Sequence, residues 1–197
     1  IYGVDISINA GNAMYYLPLL VLMKKKELLT KEQIIKIYET YSQEMIRLSF
    51  GQGMDIAWHK GTANADELKE GEYLQMCAYK TGTLARFSAK LGAILANADD
   101  ELTEKIGKLA ECLGVGFQIQ DDVLSVSSRE FHEKKGIGED IHEGKRTLMV
   151  VYTLQNADEK DKKRLLKILK MHTWDQTLIK EAIDIFNKYG AVEYAKK

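Results

Sequence analysis

The sequence predicts an all-α fold, and three observations carry that prediction. Proline occurs once, as Pro18, in 197 residues, where average usage of about 5% would give roughly ten. Proline punctuates loops and turns, so its near absence points to long uninterrupted helices and argues against a many-turned sandwich or barrel. Hydrophobic residues make up 45% of the chain, too many for a disordered polypeptide. Segments with apolar residues at helical spacing follow one another with few breaks. No repeat, low-complexity tract or interdomain linker appears, so residues 1–197 are expected to form one all-α domain.

Residues 4–24 are apolar on nearly every face, the pattern of a helix that is buried or packed on a partner. Lys24, Lys25 and Lys26 end it with cations where the helix dipole favours them. Thr30 opens a Thr-Lys-Glu-Gln capping box with Gln33, and the helix it starts runs to about His59, before Gly61. Gly71 precedes a third helix, from about Glu72 to Asn97. Asp99 and Asp100 start a fourth, reaching Val126. Residues 127–143 are polar, charged and glycine-containing, as a loop is. A short apolar helix from Lys145 to Gln155 and two amphipathic helices near 158–171 and 175–189 complete the chain.

Charge and cysteine usage exclude several classes. Lys plus Arg (28) nearly cancels Asp plus Glu (29), which disfavours a coat for nucleic acid or anionic lipid. The two cysteines, Cys77 and Cys112, form no CxxC motif, so neither a disulfide scaffold nor a structural zinc site is supported. A cytoplasmic protein is the simplest expectation. No apolar run of 18 residues free of charge is read, so no transmembrane span is expected.

Chemistry enters with the fourth helix. Gln118, Asp121, Asp122 and Ser125 stand at i, i+3, i+4 and i+7, one face of a helix, flanked by Phe117, Ile119, Val123 and Val126. Two adjacent unpaired carboxylates are costly to bury, but are tolerable beside a wet cavity or a cation. Oxygen ligands without His or Cys suit a hard ion such as Mg²⁺. A solvent-facing stripe on an ordinary amphipathic helix remains open. In the third helix, Lys80 and Thr81 sit inside an apolar run, where a lysine either snorkels to the surface or faces an anion. Gly82, Gly92, Gly114 and Gly116 suggest crowding against neighbours, since a helical glycine costs about 1 kcal/mol relative to alanine. Gln52, Asp55 and His59 share a face of the second helix. His59 has no second ligand at useful spacing and reads as a surface or cavity-rim histidine. Lys134, Lys135, Lys145 and Arg146 follow the acidic helix, and lysines around a Mg²⁺–carboxylate site are a way to hold a diphosphate.

The motifs, in order, resemble those of the polyprenyl (trans-isoprenyl) diphosphate synthase family, such as geranylgeranyl or farnesyl diphosphate synthase. GQGMDI is similar to its Gln-x-x-Asp element, KTG to its Lys-Thr pair, GFQIQDD to its second aspartate-rich motif, and KGIGEDIHEGKRTL to the lysine-bearing loop and helix that follow. YGVDISINAGNAMY and YGAVEYA also resemble family segments, so the likeness spans nearly all of the chain. It implies an isoprenoid-synthase-type helical bundle around a central apolar cavity, usually a homodimer. It further implies a Mg²⁺-dependent prenyltransferase that condenses isopentenyl diphosphate with an allylic diphosphate. Carried over residue by residue, it makes Asp121 a metal ligand with Asp122 assisting. Lys80, Lys135 and Lys145 would contact the allylic diphosphate, while Thr81 and Gln118 would place oxygens near a carbocation. Gln52 and Asp55 would support the site and Phe117 would line the pocket.

The sequence departs from the family pattern at several points. Ser125 stands where the third acidic residue of the second motif is usual, Lys135-Gly136 reverses the order of a glycine-lysine step, and Asn12 replaces a common aspartate. The first aspartate-rich motif is absent from residues 1–197. The chain is therefore expected to be truncated at both ends relative to the family and incomplete for catalysis alone. A non-catalytic partner subunit of such a synthase is the alternative reading.

Overall fold

The computed structural model describes residues 3–127 and 138–197. Every regular element among them is helical: α1 (Val4–Met14), α2 (Leu17–Lys25), a 3₁₀ turn (Lys26–Leu28), α3 (Lys31–His59), α4 (Glu70–Lys80), α5 (Gly82–Leu95), α6 (Asp100–Ser127), α7 (Glu139–Glu143), α8 (Leu148–Asn156), α9 (Glu159–Lys170), α10 (Gln176–Lys188) and α11 (Ala191–Ala195). The capping box at the start of α3 was legible in the residues. Gln33 N–H donates to Thr30 Oγ1 at 3.1 Å, and Thr30 N–H donates to Gln33 Oε1 at 2.9 Å. Thr147, Asp158 and Asp175 cap α8, α9 and α10 in the same way, each accepting a backbone N–H of the first turn.

The long helices α3 to α6 form one packed group, with α5 lying on α6 and α3 crossing α4 and α5. The short helices α8 to α11 close over the end of this group. Met149, Val151, Leu165, Ile168, Ile179 and Phe186 make the centre of a core that reaches Tyr73 and Met76 on α4 and Val123 on α6. This core anchors the ends of α4 and α6 that carry the polar residues singled out in the sequence.

Four expectations need correction. The apolar segment 4–24 is two helices, broken at Tyr15–Tyr16, where Pro18 occupies the first turn of α2. Neither helix buries a residue within this chain; the Tyr41 hydroxyl of α3 donates to the Tyr15 carbonyl at the break. The stretch Val4–Leu28 has a mean hydropathy of 1.3 and a length that could cross a membrane, but its break at Tyr15–Tyr16 divides it into two short helices. The expected helix 72–97 is two, because the chain turns at Thr81 between α4 and α5. The expected loop 127–143 ends in helix α7, between left-handed Gly138 and Gly144. The expected apolar cavity is not closed among the described residues: Leu102, Leu109, Leu113 and Phe117 lie at helical spacing on α6 and are exposed.

Two of the four expected crowding glycines do lie at crossings. A Cβ on Gly114 would sit 2.9 Å from Gly82 Cα, and one on Gly82 would sit 3.1 Å from Glu111 Cγ, whereas Gly92 and Gly116 face open space. The tightest approach to backbone is elsewhere. A Cβ on Gly51 of α3 would lie 2.4 Å from the backbone nitrogen of Lys80. Gly51→Ala is therefore expected to force α3 and α4 apart and cost about 1–3 kcal/mol. Urea unfolding measures this, and a change below about 0.5 kcal/mol would mean that the crossing yields freely.

Candidate active site

The site is assembled from the ends of α3, α4 and α7 and the last third of α6. Because Gly51 lets the backbones of α3 and α4 touch, Lys80 at the end of α4 meets Asp55 one turn further along α3. Lys80 Nζ donates to Asp55 Oδ2 at 2.5 Å. His59 lies one turn beyond, its Nδ1 3.9 Å from Asp55 Oδ1. The Lys80 side chain is only partly exposed, so it is neither snorkelling freely nor sealed in the core.

Beside this pair runs a continuous chain of hydrogen bonds. Thr81 Oγ1 donates to Gln118 Oε1 at 2.7 Å, Gln118 Nε2 donates to Asp122 Oδ1 at 2.9 Å, and the Tyr73 hydroxyl donates to Asp122 Oδ2 at 2.9 Å. Asp122 is 5% exposed, which excludes the solvent-facing reading of the stripe at this residue. Burial, reinforced by the negative charge of Asp140, pushes its carboxyl up to about 7 against the hydrogen bonds from Gln118 and Tyr73. Asp121 is partly exposed. Ser125 is buried and turns back on its own helix, donating to the Asp122 carbonyl at 2.7 Å.

The fourth member is Lys145, just after α7. Its Nζ lies 2.8 Å from Asp140 and 2.8 Å from Glu143. Burial pulls the ammonium down, but the two carboxylates outweigh it and hold Lys145 above the usual lysine range. Arg146 is buried beside it, with its guanidinium donating to the Gly144 carbonyl at 2.7 Å and to Asp66 at 3.1 Å. The Lys145 backbone is thereby pinned.

An open cleft of about 500 Å³ is lined by Gln52, Asp55, His59, Lys60, Lys80 and Lys145, with His142, Glu143 and His172 at its rim. A narrow pocket of about 20 Å³ continues from it between Lys80, Gln118, Asp122, Lys145 and Thr147. The cleft holds three lysines against two carboxylates, a balance that favours an anion. The structure thus brings together Gln52, Asp55, Lys80, Gln118, Asp122 and Lys145, with Thr81 bonded to Gln118. Phe117 is not brought in: it is 72% exposed and lines neither the cleft nor the pocket. Lys134 and Lys135 lie outside the described residues. Tyr73, Asp140 and Glu143 were missed. Tyr73 sits 49 residues from Asp122, a distance that no helical periodicity spans.

A metal fit can be tested on the donors. Among the described residues no three His, Cys, Asp or Glu side chains gather into a metal cage. Mg²⁺ does not require one, since it takes one or two carboxylates and completes its shell with water and substrate phosphates. The hard oxygens of Asp122, which lines the lysine-bearing pocket, fit that mode, whereas Asp121 lines neither the pocket nor the cleft.

The buried carboxyl also predicts a pH effect. Because the folded protein holds the Asp122 proton more tightly than the unfolded chain does, Asp122 adds stability at low pH and loses it as pH rises through about 7. In metal-free buffer Asp122→Asn should gain stability relative to wild type between pH 5 and pH 8. Urea midpoints at both pH values check this, and a constant difference would contradict it.

Residues 1–186 match the family model described as Polyprenyl synthetase. The chain is 33% identical over 195 residues to a short chain isoprenyl diphosphate synthase of Methanothermobacter thermautotrophicus, covering 99% of this chain and 57% of that protein. It is 34% identical over 197 residues to a geranylgeranyl pyrophosphate synthase of Dictyostelium discoideum, covering 100% and 60%. Among solved structures, geranylgeranyl pyrophosphate synthetase from Pyrococcus horikoshii superposes with a TM-score of 0.75 at 35% identity, over 85% of this chain and 49% of that one. The chain therefore spans a little over half the length of the curated relatives it matches. With the fold, the motif order and the family model in agreement, the chain belongs to the polyprenyl synthetase family.

Proposed function

We propose that the protein is a Mg²⁺-dependent prenyltransferase that condenses isopentenyl diphosphate with an allylic diphosphate to give a longer trans-prenyl diphosphate. The observation that carries this reading is the meeting of Lys80, Lys145, Gln118 and Asp122 around one anion-favouring pocket. In the proposed reaction the allylic C–O bond breaks and diphosphate leaves with the bonding pair. The alkene of isopentenyl diphosphate supplies its electron pair to the resulting cation, and a proton is lost to restore a double bond. Lys80 and Lys145 place positive charge where the leaving diphosphate gains negative charge, the electrostatic term with the largest effect on such a step. Thr81 and Gln118 offer oxygen dipoles to the cation. Mg²⁺, held by Asp121 with Asp122 behind it, would neutralise further diphosphate charge.

The test is direct. The intact protein, incubated with Mg²⁺, isopentenyl diphosphate and allylic primers of five, ten or fifteen carbons, should release prenyl diphosphates detectable by chromatography. No product from any primer would overturn the reading. One observation favours the alternative, a non-catalytic partner subunit: Ser125 supplies a buried hydroxyl, turned onto its own helix, where the family pattern has a third carboxylate. Product formed only when an active synthase is added would support that alternative.

We also propose that a second copy of the chain packs on α1 and α2. Ile6, Ile8, Leu17, Leu20, Val21 and Met23 are exposed there, and covering such a surface is the usual basis of a symmetric dimer. Leu17→Glu with Val21→Glu should convert a dimeric mass by light scattering into a monomeric one. An unchanged mass would place the interface elsewhere.

A further inference from the structure

We infer that Tyr73 is a positioning residue for prenyl transfer, acting through Asp122 to fix the Gln118 amide and, through it, the Thr81 hydroxyl. The inference rests on the prenyltransferase reading above and adds to it a residue that touches no substrate.

Tyr73 is 1% exposed and lies two turns before Lys80 on α4. Its phenol has one proton to donate, and that proton goes to Asp122 Oδ2 at 2.9 Å. The other carboxylate oxygen receives Gln118 Nε2 at 2.9 Å. A primary amide carries a donor on one side and an acceptor on the other. With Nε2 turned to the carboxylate, Oε1 must face the opposite way, where it accepts from Thr81 Oγ1 at 2.7 Å. Thr81 has then committed its only proton. What its oxygen still offers is lone pairs, which suit a neighbouring cation and cannot protonate the departing diphosphate.

Each link depends on the one before it. Without the Tyr73 donor, Asp122 turns on its own helix and loses its hold on Gln118. The amide is then free to reverse, and Thr81 is free to point its proton at the substrate. The ring of Tyr73 belongs to the hydrophobic core, while the hydroxyl reaches out of it. Tyr73→Phe keeps the former and removes the latter.

The experiment uses the intact protein at pH 8. Tyr73→Phe should lower kcat about 10–100-fold, the cost of a misplaced catalytic group, with KM for the allylic diphosphate changed less than about twofold. The double variant Tyr73→Phe/Thr81→Val should be no slower than Thr81→Val alone, because residues on one relay lose their effect together. An unchanged kcat, a loss carried by KM, or losses that multiply in the double variant would overturn the inference. The amide can also be observed without turnover, which covers a Tyr73→Phe protein that fails to fold. In the wild type, one Gln118 side-chain proton should exchange with water about tenfold or more slower than those of exposed Gln52, as a bond to a charged group requires. Equal exchange would overturn the relay. A wild type that makes no prenyl diphosphate would overturn the prenyltransferase reading, while the exchange measurement still decides the geometry.

Discussion

Lys80→Ala is expected to lower prenyl-transfer turnover about 10²–10³-fold, the usual loss when one preorganised stabiliser of developing charge is removed. Lys80 is held in place by backbone contact at Gly51 and by its 2.5 Å hydrogen bond to Asp55. The same bond complicates the measurement. Asp55 is buried, so removing its partner also destabilises the fold. Lys80→Met combined with Asp55→Asn separates the two effects: it leaves no unpaired charge, so stability should return while turnover stays low. Lys80→Arg should not rescue fully, since the broad guanidinium fork differs in shape from an ammonium. Steady-state kinetics beside thermal melts decide the matter. Turnover within about threefold of wild type in the double variant, a barrier change below about 1 kcal/mol, would remove Lys80 from the chemistry.

The largest effect on stability should come from Arg86→Ala. Arg86 and Glu44 are 4% and 1% exposed. Arg86 Nε lies 2.9 Å from both Glu44 carboxylate oxygens, and further guanidinium nitrogens reach Glu44 and Glu111. Burial opposes the charge on Arg86, but its partners hold the guanidinium above its ordinary value. Truncating Arg86 leaves two carboxylates facing each other across α3 and α6. The expected cost is about 3–5 kcal/mol, or roughly 10 °C in Tm for a chain of this size. Replacing Arg86, Glu44 and Glu111 together by Met, Leu and Leu should recover much of the loss, because the charges it leaves without partners, Arg47 and Lys108, reach solvent. If Arg86→Ala melts within about 2 °C of wild type, under 1 kcal/mol, the cluster is wetter than its burial implies.

The long elements were legible because their signals are local. The Thr30–Gln33 box gave the start of α3, and its end at His59 was read correctly. The stripe Gln118, Asp122 and Ser125 was legible because i, i+4 and i+7 is a property of one helix. The break at Thr81 was not, since it depends on Gly82 meeting Glu111 and Gly114 of another helix. Helix α7 was too short and charged to stand out from a loop. The Arg86 cluster and the Tyr73–Asp122 bond join residues 42 and 49 positions apart, which spacing within one helix cannot reveal. A sign was nonetheless present. The buried face of α3 runs through Ile37, Tyr41, Glu44, Gly51, Asp55 and Trp58, and both carboxylates at stripe positions turned out to hold a cation. An acid on an apolar stripe is thus a pointer to a distant base.

The backbone contact at Gly51 bears on how little of the site is left to chance before a substrate arrives. A lysine anchored on a loop would search many backbone conformers as well as its own four side-chain torsions, and binding would have to freeze both. Here the main chain beneath Lys80 is wedged against a second helix, so only the torsions remain, and Asp55 already restricts those. Most of the ordering entropy, about 1–2 kcal/mol per fixed backbone residue, is spent when the protein folds and is not charged again at each catalytic cycle.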